Sequence, residues 1–343
     1  MRLFSGVTLT PLVLLGAGLW LGAAAAYALP IYMAVVIWAF DRFVERAAPH
    51  VPQAEEFPAG DGLSVVLALG HLLALPLVVW ALAGGVMLSL PQGLALGAGF
   101  ALWLGQVSNS NAHELIHRSD RWLRGLGTAV FVSVGYGHHV SAHRLVHHRH
   151  VATPEDPNTA RRGEGFYRYL WRAVRGEFRE GLRAERDLVR RKAGRRNPYV
   201  IYGVGTGLAV TVAAALAGWR GVGVWMALAI YAQLQLYLSD YVQHYGLERR
   251  RLANGRYEPV WGGHSWDARH WASSALMLNA PRHSDHHAHP ARSYVGLELP
   301  ESGLRLPRSL PVMAVLALVP PVWFRVMDRR LPPQAGDGPA GGH

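Results

Sequence analysis

Residues 199–245 read YVIYGVGTGLAVTVAAALAGWRGVGVWMALAIYAQLQLYLSDYVQHY. A hydrocarbon core of about 30 Å needs about 20 apolar helical residues to cross it. This stretch holds that length twice, over 199–219 and 222–245. The joint between the halves contains Gly218 and Gly221 and a single charge, Arg220. Two spans in immediate succession are therefore predicted, and the second delivers His244 to its far end. Working outward, further apolar runs cover 7–29, 30–45, 63–89 and 91–117, the first two separated by a break near Pro30. The predicted fold class is an all-α integral membrane bundle of about six transmembrane helices, forming one domain over 1–330. Arg2 before an apolar run could open a signal peptide, but the run passes straight into more apolar sequence, which favours a retained anchor. Leu126 to Gly137 is apolar but too short to span, so it reads as a buried or re-entrant piece. Leu310 to Phe324 is broken by Pro320 and Pro321 and is expected against the bundle or in the interface. The Gly/Pro-rich tail over 331–343 reads as disordered.

Composition agrees with a membrane protein. Of 343 residues, 50% are hydrophobic and 17% charged, against about 25% charged in a typical soluble domain. The net charge is +11, and arginine supplies every basic residue except Lys192. Apart from Arg2, Arg220 and Asp240, charge is confined to 41–61, 111–198 and the region after Gly246, while the joints near Leu29, Ser89 and Gly218 are nearly bare. Residues 161–197 alone hold 13 basic against five acidic residues. The positive-inside rule then places both termini and the long segments in the cytoplasm of a multi-pass, bacterial-type inner-membrane protein. Orientation and anionic lipid account for the basic excess, and no nucleic acid is expected. The chain has no cysteine, which excludes disulfides, iron–sulfur clusters, thiolate zinc sites and a cysteine nucleophile.

There are 18 histidines, and 15 fall between His113 and His289. Three groups have helical spacing: His113 with His117; His143 with His147 and His148; and His283 with His286 and His287. Residues i and i+4 of a helix lie one above the other, so their rings converge. With His244 these make nine rings, each at or just beyond the cytoplasmic end of a span or in the long loops on that side. So many buried imidazoles are costly to desolvate without a shared partner, and a metal site is predicted. His113-Glu114-Leu115-Ile116-His117 matches the HExxH zinc-protease pattern, but nine ligands are too many for one tetrahedral zinc. They suit two ions of higher coordination. Ligand type alone leaves iron, copper, nickel and zinc open.

The strings NAHELIHR (111–118), GYGH (135–138), HRLVHHR (143–149), VATPEDP (151–157), DYVQHYGL (240–247), NGRY (254–257), HSW (264–266) and RHSDHHAHP (282–290) keep a fixed order. In order and spacing the chain resembles the membrane-bound alkane 1-monooxygenases, or alkane omega-hydroxylases, within the histidine-rich membrane fatty-acid desaturase and hydroxylase group. The likeness is dense over about 100–330 and loose in the first 60 residues. It departs at Ala142, where many relatives carry Glu, at Leu145-Val146, and at Asn279-Ala280-Pro281-Arg282, where relatives often read Leu-Gln-Arg.

The resemblance implies an oxidoreductase with a cytoplasmic di-iron site. The nine ligands it implies are His113, His117, His143, His147, His148, His244, His283, His286 and His287. It implies hydroxylation of the terminal methyl of an alkane with O2, on an apolar substrate taken from the lipid. The alternative is a desaturase, or a hydroxylase of fatty acids, alkyl aromatics or terpenes. A chain without cysteine or a nucleotide fingerprint cannot relay electrons, so rubredoxin or ferredoxin and a reductase are expected partners. A ligating ring usually donates its second N–H to an oxygen. Glu114, Asp156, Asp240 and Asp285 are placed for that role, and His264 is a further candidate neighbour. His138, His139, His150, His270 and His289 read as neighbours or surface residues.

Overall fold

The computed structural model describes residues 1–44 and 58–333. Residues 334–343 of the tail expected to be disordered, and residues 45–57 of the charged segment after Asp41, lie outside the described residues. Among the described residues, four helices are long and apolar enough to cross a membrane: α1 (Arg2–Leu21), α2 (Ala24–Phe43), α3 (Gly60–Gly85) and the 46-residue Tyr199–His244. With almost no strand beside them, the protein is an all-α membrane bundle, as its apolar runs predict.

The first break falls at Gly22, not near Pro30. Gly22 takes φ 57°, a left-handed conformation that glycine adopts without a Cβ clash. Pro30 lies within α2, where a short α turn passes into a π-helical stretch, Ile31–Val36. That change of pitch accommodates the missing N–H. A Cβ on Gly99 would stand 2.7 Å from the Pro30 ring, so the next helix presses against the proline.

That helix, α4, starts at Leu90. Ser89 and Gln92 cap it reciprocally, with proline in the first turn. It runs through Leu90–Trp103, a π turn at Leu104–Ser108 and Asn109–Ile116 without interruption, and so carries the first histidine pair. His71 of α3 bonds Ser108 Oγ at 2.6 Å and Ser133 Oγ at 2.8 Å, which ties the π turn to α5 (Arg121–Ser133). Asp120 caps α5 by accepting the N–H groups of Trp122 and Leu123.

α5 enters the bundle and stops. Its last carbonyls are met by side chains of the long helix: Val132 O by Thr206, Ser133 O by Trp225 Nε1 and Val134 O by Gln233. This is the short apolar piece predicted from Leu126 to Gly137, and irregular backbone at that depth is tolerated because protein satisfies it. Thr206 and Gln233 reach neighbouring carbonyls because the chain between them doubles back. The reversal is at Ala217 and Gly218, which leave helical geometry, Gly218 with φ 58°.

α6 (Gly137–Ala142) leads into the π turn His143–His147 and then His148–His150. α7 (Phe166–Arg191) lies across it, and α8 is the long Tyr199–His244 helix. Beyond α8, β1 (Trp266–Asp267) pairs in parallel with β2 (Leu304–Arg305). α9 (Trp271–Leu276) and α10 (His283–Ala288) lie between the strands in sequence. α11 (Leu310–Ala317) and α12 (Pro320–Met327) follow. α11 packs on α8, which is the expected docking of the proline-broken segment against the bundle.

Candidate metal centre

Four elements bring the nine predicted rings together: α4, α6 with its π turn, the end of α8, and α10. They separate into two groups. His113, His117, His143, His148 and His286 each offer a nitrogen to one point, and His147, His244, His283 and His287 to another. Within a group these nitrogens lie within 4.8 Å of one another.

The division corrects the simple helical reading of two boxes. His143 and His147 are four apart but serve different groups, because the turn that holds them is a π turn. A π turn closes at i+5, so His148 joins His143, while His147 turns toward His244. The third box is also divided. His283 and His287 face the second group and His286 the first.

The nitrogens carry the fit to metal. Nε2 to Nε2 distances are 2.7 Å for His113–His143, 2.9 Å for His143–His148, 3.2 Å for His148–His286, 3.0 Å for His244–His283 and 3.1 Å for His283–His287. Two nitrogens at right angles on one ion, each about 2.1 Å from it, stand about 3 Å apart. The Nε2 atoms of His117 and His147 are buried with no hydrogen-bond partner, and an unsatisfied buried nitrogen is costly unless a cation takes its lone pair. Both groups therefore fit a metal ion each.

Outside the nitrogens that converge, oxygens orient the rings. Asp156 Oδ2 stands 2.8 Å from His147 Nδ1, and Asp156 also accepts from Thr159 Oγ1 and Asn158 N. Burial lowers His147, but the Asp156 carboxylate outweighs it and raises the ring to about 9. Burial, then the neighbouring rings, holds His143, His148, His283, His286 and His287 well below the usual histidine value. Those five are neutral at pH 7 and free to donate lone pairs.

The other proposed neighbours act less directly. Asp240 reaches the site through Asn158, whose Nδ2 donates to it at 2.8 Å. His264 offers His244 Nδ1 its backbone carbonyl at 3.3 Å, while its ring meets Glu258. Glu114 pairs with Arg118 and accepts the Tyr294 N–H. Asp285 binds Arg292 and His289. These last two carboxylates brace the loops rather than touch a converging ring.

Two residues of the site were not among those singled out. Glu177 on α7 stands 2.6 Å from His139 Nδ1 and accepts from Tyr136 Oη, and the His139 ring packs 5.0 Å from His143. Despite burial, which raises it, His139 holds Glu177 down at about 2. The available signal was its place in the inward stripe Tyr169, Ala173, Glu177, Gly181, Glu185 of an arginine-rich helix. Asp267 caps α10 by accepting Ser284 N at 2.9 Å, and it pairs with Arg305. Burial raises it to about 6. No local pattern in the sequence marks that role.

A narrow cleft of about 60 Å³ touches one ring of each group, His113 and His283. Gly105 and Ser110 of α4, Leu236 of α8, Met277, and Leu310 and Ala314 of α11 form its walls. A larger apolar chamber of about 390 Å³ lies between α3, α5 and α8, but none of the nine rings lines it. Of these two openings, it is the first that touches rings of the centre.

A membrane helix bundle that gathers nine histidines into two groups, each able to hold a metal ion, defines a histidine-rich membrane protein. Comparison with known proteins sharpens the class. The fatty acid desaturase family profile matches residues 86–299. The chain is 32% identical over 305 residues to alkane 1-monooxygenase 2 of Pseudomonas aeruginosa, covering 85% of this chain and 80% of that protein. It is 32% identical over 329 residues to the alkane 1-monooxygenase of Ectopseudomonas oleovorans, covering 92% and 78%. A more distant relative is the hydroxylase component of the xylene/toluene monooxygenase of Pseudomonas putida, 28% identical over 322 residues. The chain belongs to the fatty acid desaturase family and, within it, to the alkane 1-monooxygenases.

Proposed function

We propose that this protein is an inner-membrane di-iron monooxygenase. It hydroxylates the terminal methyl of an alkane with O2 and two electrons from rubredoxin, or from a ferredoxin, supplied by a reductase. The balance is RH + O2 + 2e⁻ + 2H⁺ giving ROH + H2O. The division of the nine rings into a five and a four is the observation that carries this reading. His113, His117, His143, His148 and His286 would hold one iron, and His147, His244, His283 and His287 the other. Iron bound there would supply O2 activation and oxidation of an unactivated C–H bond.

The chain's own residues do the positioning. Neutral imidazoles bring no charge, so Asp156, Asp240 and Glu177, all buried nearby, offset two cations. Asp156 fixes the His147 ring by accepting its Nδ1–H. Met277, Leu236, Leu310 and Ala314 give the cleft an apolar side, suited to aiming a chain end at the centre. The positive-inside rule supports a cytoplasmic site with both termini on that side, where a soluble electron carrier can reach it. The xylene/toluene relative supports a second substrate class, alkyl aromatics.

The test is to purify the protein, count its metal, and supply octane, hexadecane or xylene with reduced rubredoxin under ¹⁸O2. About two irons per chain and labelled primary alcohol are expected. One zinc without iron, or an alkene product, would overturn the reading.

A further inference from the structure

The outer side of α7 carries more than charge. Tyr167, Trp171, Val174 and Phe178 are 60%, 64%, 42% and 46% exposed. Spacings of four, three and four residues line them up along one face of the helix. The inward face is separate and buried, with Tyr169, Ala173, Glu177 and Gly181. A third face presents Arg168, Arg175, Arg179 and Arg186, all exposed. None of these four has a carboxylate partner among the described residues. The Arg175 guanidinium lies over the Trp171 ring, 3.6 Å from its centre. A helix on a water-facing surface needs two faces, apolar inside and polar outside. This one has an additional apolar face outside.

The stripe joins other exposed apolar surface at both ends. At one end Tyr167 Oη donates to Leu318 O at 3.0 Å, where Val315, Leu318 and Val319 are exposed. At the other, Tyr199 Oη donates to Phe178 O at 3.2 Å and the two rings meet edge to face. Tyr199 opens the membrane helix α8, whose apolar Val200, Ile201 and Val204 are exposed. α7 therefore lies at the level where α8 enters the bilayer.

We propose that α7 lies in the headgroup layer and docks on anionic phospholipid. The stripe enters the acyl boundary, and the arginine face binds lipid phosphates through guanidinium hydrogen bonds. Aromatic residues favour that layer. This rests on the membrane helices and not on the chemistry of the histidine centre. It gives the basic excess of residues 161–197, read from the sequence as orientation and lipid contact, a definite surface on one helix. Its reach extends to the centre, because the inward face of the same helix holds Glu177 against His139.

The absence of cysteine makes the test direct. Nitroxide labels are placed singly by Trp171→Cys and Val174→Cys, with Arg183→Cys as a water-facing reference and Val204→Cys as a lipid-facing one. The full chain is reconstituted in vesicles of phosphatidylcholine alone or with one-third phosphatidylglycerol. Collision with oxygen is compared with collision with a water-soluble nickel chelate. The oxygen-to-nickel ratio at both stripe positions is expected to exceed that at Arg183 several-fold, to approach that at Val204, and to rise with phosphatidylglycerol. An Arg168→Gln, Arg175→Gln, Arg179→Gln background should lose that rise. Stripe labels as open to nickel as Arg183, labels shielded from both reagents as under a second copy or a partner protein, or no response to phosphatidylglycerol would each overturn the proposal.

Discussion

His147 shows how one carboxylate sets the character of a ring. Five rings of the centre are neutralised by burial, yet His147 is raised to about 9 because Asp156 lies 2.8 Å from its Nδ1. In the metal-free protein these shifts have opposite consequences. The five lowered rings bind protons in the unfolded chain first, so their contribution is present above about pH 6.5 and lost as pH falls. Each costs about 1.4 kcal/mol per pH unit while it stays unprotonated in the fold. His147 contributes below about 6.5 and loses that contribution as pH rises through about 9. The chelated protein is therefore expected to melt at lower temperature below pH 6.5, steeply, and to weaken gently between 7 and 9. Thermal melts across pH 5–9 check both arms, and a melt unchanged from pH 7 to 5 would contradict the acid one. Asp156→Asn should remove the alkaline arm. It should also weaken metal retention about 10- to 100-fold, read as metal remaining after dialysis against a graded chelator. Of the residues in the centre, eight rings were legible from their spacing of three, four and five residues, and His244 from its place at the end of an apolar run. Asp156 was legible as a nearby carboxylate. Glu177 and Asp267 were not, because each reaches the centre across the fold from a helix or strand with no histidine on it.

At the scale of the element, the helices were legible and their irregularities were not. Apolar length announces a membrane helix, but a π turn is one extra residue in a hydrogen-bond ladder, and a single sequence carries no mark of it. Two such turns matter. Leu104–Ser108 precedes the first histidine pair, and its Gly105 lets Gln235 of α8 approach so that a Cβ would meet it at 2.5 Å. His143–His147 divides the second box between the two groups. The break after α1 was misplaced for a similar reason. Proline reads as the breaker, but Gly22 alone tolerates the left-handed φ that a sharp reversal needs. Packing of α7 on the second box also depends on a glycine. A Cβ on Gly181 would stand 2.9 Å from Ala142 Cβ and 2.5 Å from Tyr199 Oη. Gly181→Val is expected to push α7 away from the π turn and destabilise the protein by about 1–3 kcal/mol, with metal lost on gel filtration. Gly125→Ala, which meets nothing within 4 Å, should leave the melt unchanged or raise it slightly. Equal melts for the two variants would show that α7 does not clamp the histidine segment.

Across the whole molecule, the centre is assembled from parts far apart in sequence, and the cleft that serves it is too. Its walls come from the π turn of α4, the second leg of α8, the loop after α9, and α11. Two features set its shape. The reversal at Ala217 and Gly218 returns α8 toward the centre, so that His244 and the wall residue Leu236 arrive together. The proline-broken segment then docks α11 on α8, closing the cleft from the other side. The large chamber between α3, α5 and α8 is apolar and roomy, but it does not reach a ring. Space alone therefore does not single out an opening; the narrow cleft stands out because His113 and His283 line it. Ala314 is the smallest side chain on the α11 wall, so bulk added there enters the cleft. Ala314→Trp is expected to narrow the cleft while leaving both groups of rings in place. Metal content should stay at the wild-type level. Turnover of long alkanes should fall at least tenfold, through a higher KM, while short alkanes are affected less. The measurement is alcohol formed from octane and from hexadecane by the same preparation, with iron counted in parallel. If both alkanes are hydroxylated at the wild-type rate, the substrate reaches the centre by another route. If iron is lost together with activity, α11 supports the metal centre itself and not only the path to it.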